Sequence, residues 1–177
     1  MNLVSLKSAK DKDYFENLYL SAFPKDERIE VDKLYDLYKE SLIDIILISK
    51  NNNEIGFAVI YLNENIHLLS YFAIDPDQRS KGYGSESLKL IKKTYDDLII
   101  EIESTDFKDA DDYLIRNKRK AFYIRNGFDV IDAYVNYFGI EMELMSTTKD
   151  AGIDDYFDTY YDIFDEEYIV ENIKIIE

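Results

Sequence analysis

With 177 residues and a mass of 20.9 kDa, the chain is long enough for one domain with a sizeable core. No apolar run approaches the roughly 20 residues that a membrane-spanning helix needs. Its 37 acidic against 21 basic residues give a formal net charge of -16, a field that repels the phosphate backbone of nucleic acid and attracts cations. The absence of cysteine excludes disulfides, thiolate zinc sites and a cysteine nucleophile, and a single histidine, His67, excludes a His-rich metal site. Paired carboxylates alone argue for no metal in so acidic a chain. The N-terminal stretch "MNLVSLKSAKDKDYF" carries neither a long apolar run nor a small-residue cleavage site. The expectation is a soluble, cytoplasmic protein with no nucleic-acid and no membrane partner.

In chain order, Tyr14, Phe15, Leu18, Tyr19 and Ala22 recur at helical spacing, and Pro24 breaks that run. Val31, Leu34, Tyr35, Leu37 and Tyr38 repeat the pattern as a second short helix, with "AFPKDERIEV" before it as a loop and Asp26 near the helix start. The period then changes. Residues 43 to 49, 55 to 62 and 66 to 74 are three β-branched or aromatic runs separated by "KNNNE" and "NEN", the polar turns of an antiparallel meander. Leu88, Leu90, Ile91 and Tyr95 mark a further helix, and "DLIIEIES" a short strand with Glu101 and Glu103 on alternate positions of one face. "KRKAFYIRNGF" reads as a helix closed by Asn126 and Gly127, residue types that adopt the left-handed conformation at helix ends. "DVIDAYVNYFG" and "IEMELMS" follow as strands. The order ααβββαβαββ is that of an α/β domain with a mixed sheet.

The chain has 6 glycines and 2 prolines, yet "IDPDQRSKGYGSESL" places Pro76, Gly82 and Gly84 within nine positions, interleaved with Arg79 and Lys81. A strand that runs through a glycine turn into a helix leaves backbone N–H groups at a helix N-terminus, where the dipole favours an anion. The stretch matches neither a Walker loop nor a dinucleotide fingerprint. A plain tight turn is the competing reading of two isolated glycines.

The wider stretch "YFAIDPDQRSKGYGSESLKLI" resembles the acetyl-CoA-binding motif of the GCN5-related N-acetyltransferase (GNAT) family, with Arg79, Gly82 and Gly84 at the three defined positions. About forty residues on, "RKAFYIRNGF" is similar to the family's helix ending in Tyr-x-x-x-Gly-Phe, here Tyr123, Gly127 and Phe128. The resemblance implies a GNAT-like fold, a mixed central sheet flanked by helices, over residues 1 to 146, with residues 147 to 177 as a C-terminal extension. It implies that acetyl-CoA is the cosubstrate. The main chain of Phe72, Ala73 and Ile74 would pair with the pantetheine arm, and the amides from Arg79 through Ser80, Lys81, Gly82, Tyr83, Gly84 and Ser85 would hold the pyrophosphate. The Lys81 and Tyr83 side chains read as solvated. No metal is implied.

Acetyl transfer to an amine needs a neutral amine, a polarised carbonyl and a proton for the leaving thiolate. Tyr123 matches the family tyrosine near the sulfur, although packing is the alternative for any one of 16 tyrosines. The glutamate that several members carry on the fourth strand is absent from "IHLLSYFAI". Glu101 and Glu103 are the candidate bases, against a reading as a solvated pair, and His67 reads as a turn residue. Arg116, Lys118, Arg119 and Lys120 would meet either the nucleotide phosphates or carboxylates of the protein itself.

The leading expectation is an N-acetyltransferase that moves acetyl directly to a primary amine, cationic in view of the protein's charge. A non-catalytic acetyl-CoA sensor or interaction module is the alternative, and an ATP-binding protein lacks the Lys-Ser/Thr pair. In the tail, Tyr156, Phe157, Tyr160, Tyr161, Phe164 and Tyr168 predict one helix with an aromatic stripe, followed by a strand-like "YIVENIKII". Such a stripe needs cover, by the domain or by a second subunit in a homodimer.

Overall fold

The computed structural model describes residues 1–176, apart from the side chain of Asp26, so any contact of Asp26 near the second helix lies outside the described residues. The described residues form eight strands and six α-helices. The 8-stranded sheet has the order β1-β2-β3-β4-β5-β7-β6-β8, where β1 is Asn2–Ser5, β2 Ile43–Lys50, β3 Asn53–Tyr61, β4 His67–Ile74, β5 Leu98–Glu103, β6 Asp129–Tyr137, β7 Ile140–Ser146 and β8 Ile173–Ile176. The helices are α1 (Ala9–Ala22), α2 (Val31–Lys39), α3 (Tyr83–Tyr95), α4 (Tyr113–Arg125), α5 (Ile153–Tyr161) and α6 (Glu166–Asn172). This is the mixed α/β architecture expected from the sequence. The chain divides into two compact units, Met1–Leu62 with Leu69–Asp96, and Asn63–Leu68 with Asp97–Glu177.

In the first unit, β2 and β3 pair antiparallel from Ile43↔Tyr61 to Lys50↔Asn53. Asn51 and Asn52 both have positive φ, 52° and 62°, as the two-residue turn that matches strand twist requires, and asparagine tolerates that region better than most residues. β1 extends the sheet by pairing antiparallel with β2. Helix α1 starts at a capping box, in which the Ser8 hydroxyl accepts the Asp11 N–H at 3.2 Å and the Asp11 carboxylate accepts the Ser8 N–H at 2.9 Å. It buries Phe15, Leu18 and Tyr19, with Phe15 edge-on to Phe57 at 5.0 Å and Tyr19 edge-on to Tyr71 at 5.0 Å. The Tyr19 hydroxyl donates to the Ile29 carbonyl at 2.9 Å and the Ile29 N–H donates to the Tyr71 hydroxyl at 3.2 Å. These bonds satisfy buried polar groups in an aromatic core. One close approach requires glycine: a Cβ on Gly56 would lie 2.4 Å from the Ala73 carbonyl oxygen of β4.

In the second unit, β4 enters parallel to β5 at His67↔Leu98 and Leu68↔Ile99. β7 pairs antiparallel with both β5 and β6, and β8 pairs antiparallel with β6 from Tyr134↔Ile176 to Tyr137↔Ile173. The tail departs from the expected single helix. Asp165 caps a new helix by accepting the Tyr168 N–H at 2.8 Å, so the aromatic stripe is cut between α5 and α6. Residues 168 to 172 of the expected strand-like end are therefore helical, and the strand begins at Ile173. Among the described residues, no helix is long and apolar enough to cross a membrane.

Candidate active site

The glycine turn is built by its own residues. Pro76–Gln78 form a single 3-10 turn, with the Asp75 carboxylate accepting the Asp77 N–H at 2.9 Å and the Asp75 carbonyl accepting the Gln78 N–H at 2.8 Å. The Asp75 N–H in turn donates to the Ile55 carbonyl at 2.9 Å, which ties the end of β4 to β3. Arg79 folds back so that its Nε donates to the Ile74 carbonyl at 2.9 Å. The Lys81 side chain is exposed, as expected, and its Nζ donates to the Asp77 carbonyl at 2.8 Å and to Gln78 Oε1 at 3.0 Å. Tyr83, by contrast, is not solvated filler. It packs with Phe72 against Ile48, Ile55 and Ile74, and the Lys50 ammonium lies 4.2 Å from its ring centroid. Ser80 and Gly82 have positive φ, 62° and 79°.

This rigid turn feeds α3, whose first amides have no side-chain cap. Gly82 stands as N-cap and its carbonyl accepts the Glu86 N–H at 3.1 Å. Gly84 occupies the second helical position, with Ser85 next. A Cβ placed on Gly82 would meet nothing within 4 Å, so the space before these amides is open. Uncapped amides, a helix dipole and open space fit a pyrophosphate. The arrangement therefore suits the phosphates of acetyl-CoA.

In the second unit, Tyr123 lies two residues from the end of α4. Gly127, with φ 81°, donates its N–H to the Ile124 carbonyl at 3.0 Å, and Phe128 donates to the Tyr123 carbonyl at 3.1 Å. These are the two bonds of a Schellman ending, and they explain the Tyr-x-x-x-Gly-Phe spacing physically. The Phe128 ring packs at 5.4 Å from that of Tyr123. Burial pushes the Tyr123 phenol up to about 12, with the Arg119 guanidinium opposing. It stays protonated at neutral pH, so it can give up a proton there but not take one.

The two candidate glutamates of β5 have different partners. Glu103 is buried and ion-paired to Arg119 and to Arg116, the latter at 3.7 Å. On β7, Glu143 is paired with Lys120 and accepts the Thr105 N–H at 2.5 Å. Burial would raise the Glu143 carboxyl, but the bonds from Lys120 and Thr105 prevail and hold it below the usual carboxylate range. Arg116, Arg119 and Lys120 of the α4 basic cluster thus serve the protein's own carboxylates. Glu101 is part-buried and its carboxyl is held by two phenols of the C-terminal extension, Tyr156 at 2.5 Å and Tyr160 at 3.0 Å. Burial raises it to about 7, against the lowering effect of both hydroxyls. His67 accepts the Asn63 N–H at 3.3 Å through Nδ1. Sequence reasoning missed the Tyr156 and Tyr160 contacts with Glu101, since the i, i+4 tyrosine spacing signals a buried face but not what that face meets. No group of three or more His, Asp or Glu among the described residues is placed to hold a metal.

The first unit supplies a strand–turn–helix with uncapped amides, and the second a buried tyrosine on α4 and a β5 carboxyl raised to about 7, group types that acyl transfer from a CoA thioester calls for. The sequence profile of the acetyltransferase (GNAT) domain matches residues 42–130, half of the chain. The chain belongs to the GNAT acetyltransferase family and is an acetyl-CoA-dependent N-acetyltransferase. By sequence, no curated protein matches it. Solved structures share the fold. A protein assigned to the GNAT acetyltransferases of Bacteroides thetaiotaomicron is 19% identical with a TM-score of 0.72, covering 97% of this chain and 92% of its own. An aminoglycoside 6'-N-acetyltransferase complexed with coenzyme A is 12% identical with a TM-score of 0.66, covering 82% and 96%. Naa50 of Arabidopsis thaliana, in complex with the bisubstrate analogue CoA-Ac-MVNAL, is 14% identical with a TM-score of 0.58, covering 83% and 97%.

Proposed function

We propose that the protein acetylates a cationic primary amine by direct transfer, with Glu101 as the base and Tyr123 as the acid. Acetyl-CoA supplies the acetyl group as an activated thioester. Glu101 takes the proton of the acceptor ammonium, which frees the nitrogen lone pair to form the new N–C bond. Tyr123 gives its proton to the sulfur as the C–S bond breaks, the acylated nitrogen loses its second proton through solvent to the Tyr123 phenolate, and the neutral amide leaves with the acetyl group. With no cysteine in the chain, an acetyl-cysteine relay is excluded.

The observation that carries this reading is the contrast between the β5 glutamates. Glu103 is fixed in an ion pair, while Glu101 sits near pH 7, where a base is most effective. The net charge of -16 supports a cationic acceptor, because it raises the local concentration of ammonium compounds. Domain 1–146 would carry the chemistry with the pyrophosphate held by the amides of Arg79 to Ser85 and the pantetheine by Phe72 to Ile74. The test is release of CoA thiol, with the acetylated product identified by mass, over spermidine, kanamycin, a lysine peptide and a peptide with a free N-terminus. Amine-dependent release strongest for the polycations is expected. Bound acetyl-CoA with no acetylated product from any of the four would overturn transfer and leave an acetyl-CoA sensor.

A further inference from the structure

The C-terminal extension does more than cover the sheet. Helix α5 sets Tyr156 and Tyr160 one turn apart, which points both side chains the same way. Each hydroxyl reaches one oxygen of the same carboxyl group: Tyr156 donates to Glu101 Oε2 at 2.5 Å and Tyr160 to Oε1 at 3.0 Å. The two rings pack against each other at 5.1 Å, and Tyr160 is backed by Phe164 at 5.9 Å and Tyr137 at 6.0 Å. The helix itself is pinned at both ends. Asp155 accepts the Gly152 N–H at 2.8 Å, and Asp162 accepts from the Asn63 side chain at 2.7 Å. The phenols are therefore held stiffly, and they fix the plane of the carboxyl group they grip.

We propose that Tyr156 and Tyr160 are positioning residues for acetyl transfer, which hold the Glu101 carboxyl in one orientation and let it change protonation state without losing a partner. The proposal rests on the reading of Glu101 as the base. Its physical basis is the choice of donors. Glu103 and Glu143 are ion-paired to arginine or lysine, so protonating either breaks a buried charge pair. Among the described residues, the donors to Glu101 are the neutral phenols of Tyr156 and Tyr160. When it gains a proton, a phenol oxygen can accept that O–H, since a tyrosine hydroxyl is both donor and acceptor. The surroundings add no competing charge: Leu144 lies opposite on β7, Glu103 on the same strand is neutralised by its arginines, and the pKa of Glu101 is governed by burial and the two phenols.

The test follows the Glu101 carboxyl carbon by NMR titration in ligand-free protein, alongside the pH dependence of acetyl transfer to spermidine or kanamycin. In the unmutated protein a midpoint near neutrality is expected, and one near the ordinary value of about 4.3 overturns the proposal. Tyr156→Phe or Tyr160→Phe removes one stabilising donor from the carboxylate. Each should move the Glu101 midpoint and the acid limb of the rate profile up by about one pH unit and lower kcat about tenfold, with KM for acetyl-CoA unchanged. A purely structural role would lower the melting midpoint and leave both pH readouts in place, which would refute positioning. Glu101→Gln separates the layers. Wild-type turnover in that variant removes the base reading itself, whereas its inactivity combined with unshifted Phe variants removes only the role of the tyrosines.

Discussion

A carboxyl group whose pKa burial raises toward neutrality carries a cost in stability, and for Glu101 the size and sign of that cost follow from its pKa. The folded value is raised to about 7 from 4.5, so between those two values the native state holds a proton that the unfolded chain has released. Stability therefore falls as pH rises through this window, and it is level below pH 4.5 and above pH 7 as far as this group is concerned. At ~1.4 kcal/mol per unit, the full shift corresponds to about 3 kcal/mol, and the partial exposure of the residue reduces this to about 2 kcal/mol. Glu101→Gln removes the titration while its amide can still accept from one phenol and donate to the other. Chemical denaturation at pH 4, 6 and 8 should show the variant gaining about 2 kcal/mol over wild type on going from pH 4 to pH 8. Parallel stability curves for the two proteins would show that Glu101 titrates alike in the folded and unfolded chain. That result would refute the reasoning from burial.

Three further outcomes are expected. Gly82→Val puts a side chain on a residue with φ 79° and into the open space before the α3 amides, so calorimetry should find acetyl-CoA affinity lost along with about 1–2 kcal/mol of stability; retained affinity would remove the turn from the binding site. Tyr123→Phe keeps the ring between Phe122 and Phe128 but removes the proton, so kcat should fall about a hundredfold with acetyl-CoA affinity unchanged; undiminished turnover with chemistry rate-limiting places the acid elsewhere. Gly56→Ala drives a Cβ to within 2.4 Å of the Ala73 carbonyl, and a loss of about 2 kcal/mol or more is expected on thermal or chemical unfolding; a neutral change would mean that β4 moves aside freely.

What the sequence showed plainly was encoded locally. The Gly82 turn, the Asn51-Asn52 hairpin and the Gly127 helix end each depend on residues that tolerate positive φ, and such residues can be read from a few positions of chain. The strand β1 escaped because it has four residues and lies at an edge of the sheet, too short for alternation to register, whereas the strand-like end of the tail was expected but begins at Ile173 rather than Tyr168. The break in the tail's aromatic stripe turned on Asp165, one capping residue within a continuous helical period. The fates of Glu101 and Glu103 were beyond reach for another reason. Strand periodicity put them on one face, but Tyr156 is 55 positions from Glu101 in sequence, and Arg119 is 16 from Glu103. Whether a carboxylate meets a cation or a phenol is decided by how distant segments pack, and no local pattern records it.

The turn before α3 engages its own cations, the Arg79 Nε on the Ile74 carbonyl and the Lys81 Nζ on Asp77 and Gln78. In the proposed pyrophosphate site the uncapped α3 amides would act as main-chain dipoles, whose influence ends within a few ångströms, while at long range an anionic cosubstrate meets a protein of net charge -16. Capture and approach are thus governed by opposite electrostatics. Added salt shortens the reach of the repulsion, to about 8 Å at physiological ionic strength, and leaves contact dipoles nearly untouched. The association rate for acetyl-CoA should consequently rise with ionic strength, and that for a polycationic acceptor should fall. The relative occupancy of the two substrates would then depend on the salt content of the medium, with no change in any residue that touches either one.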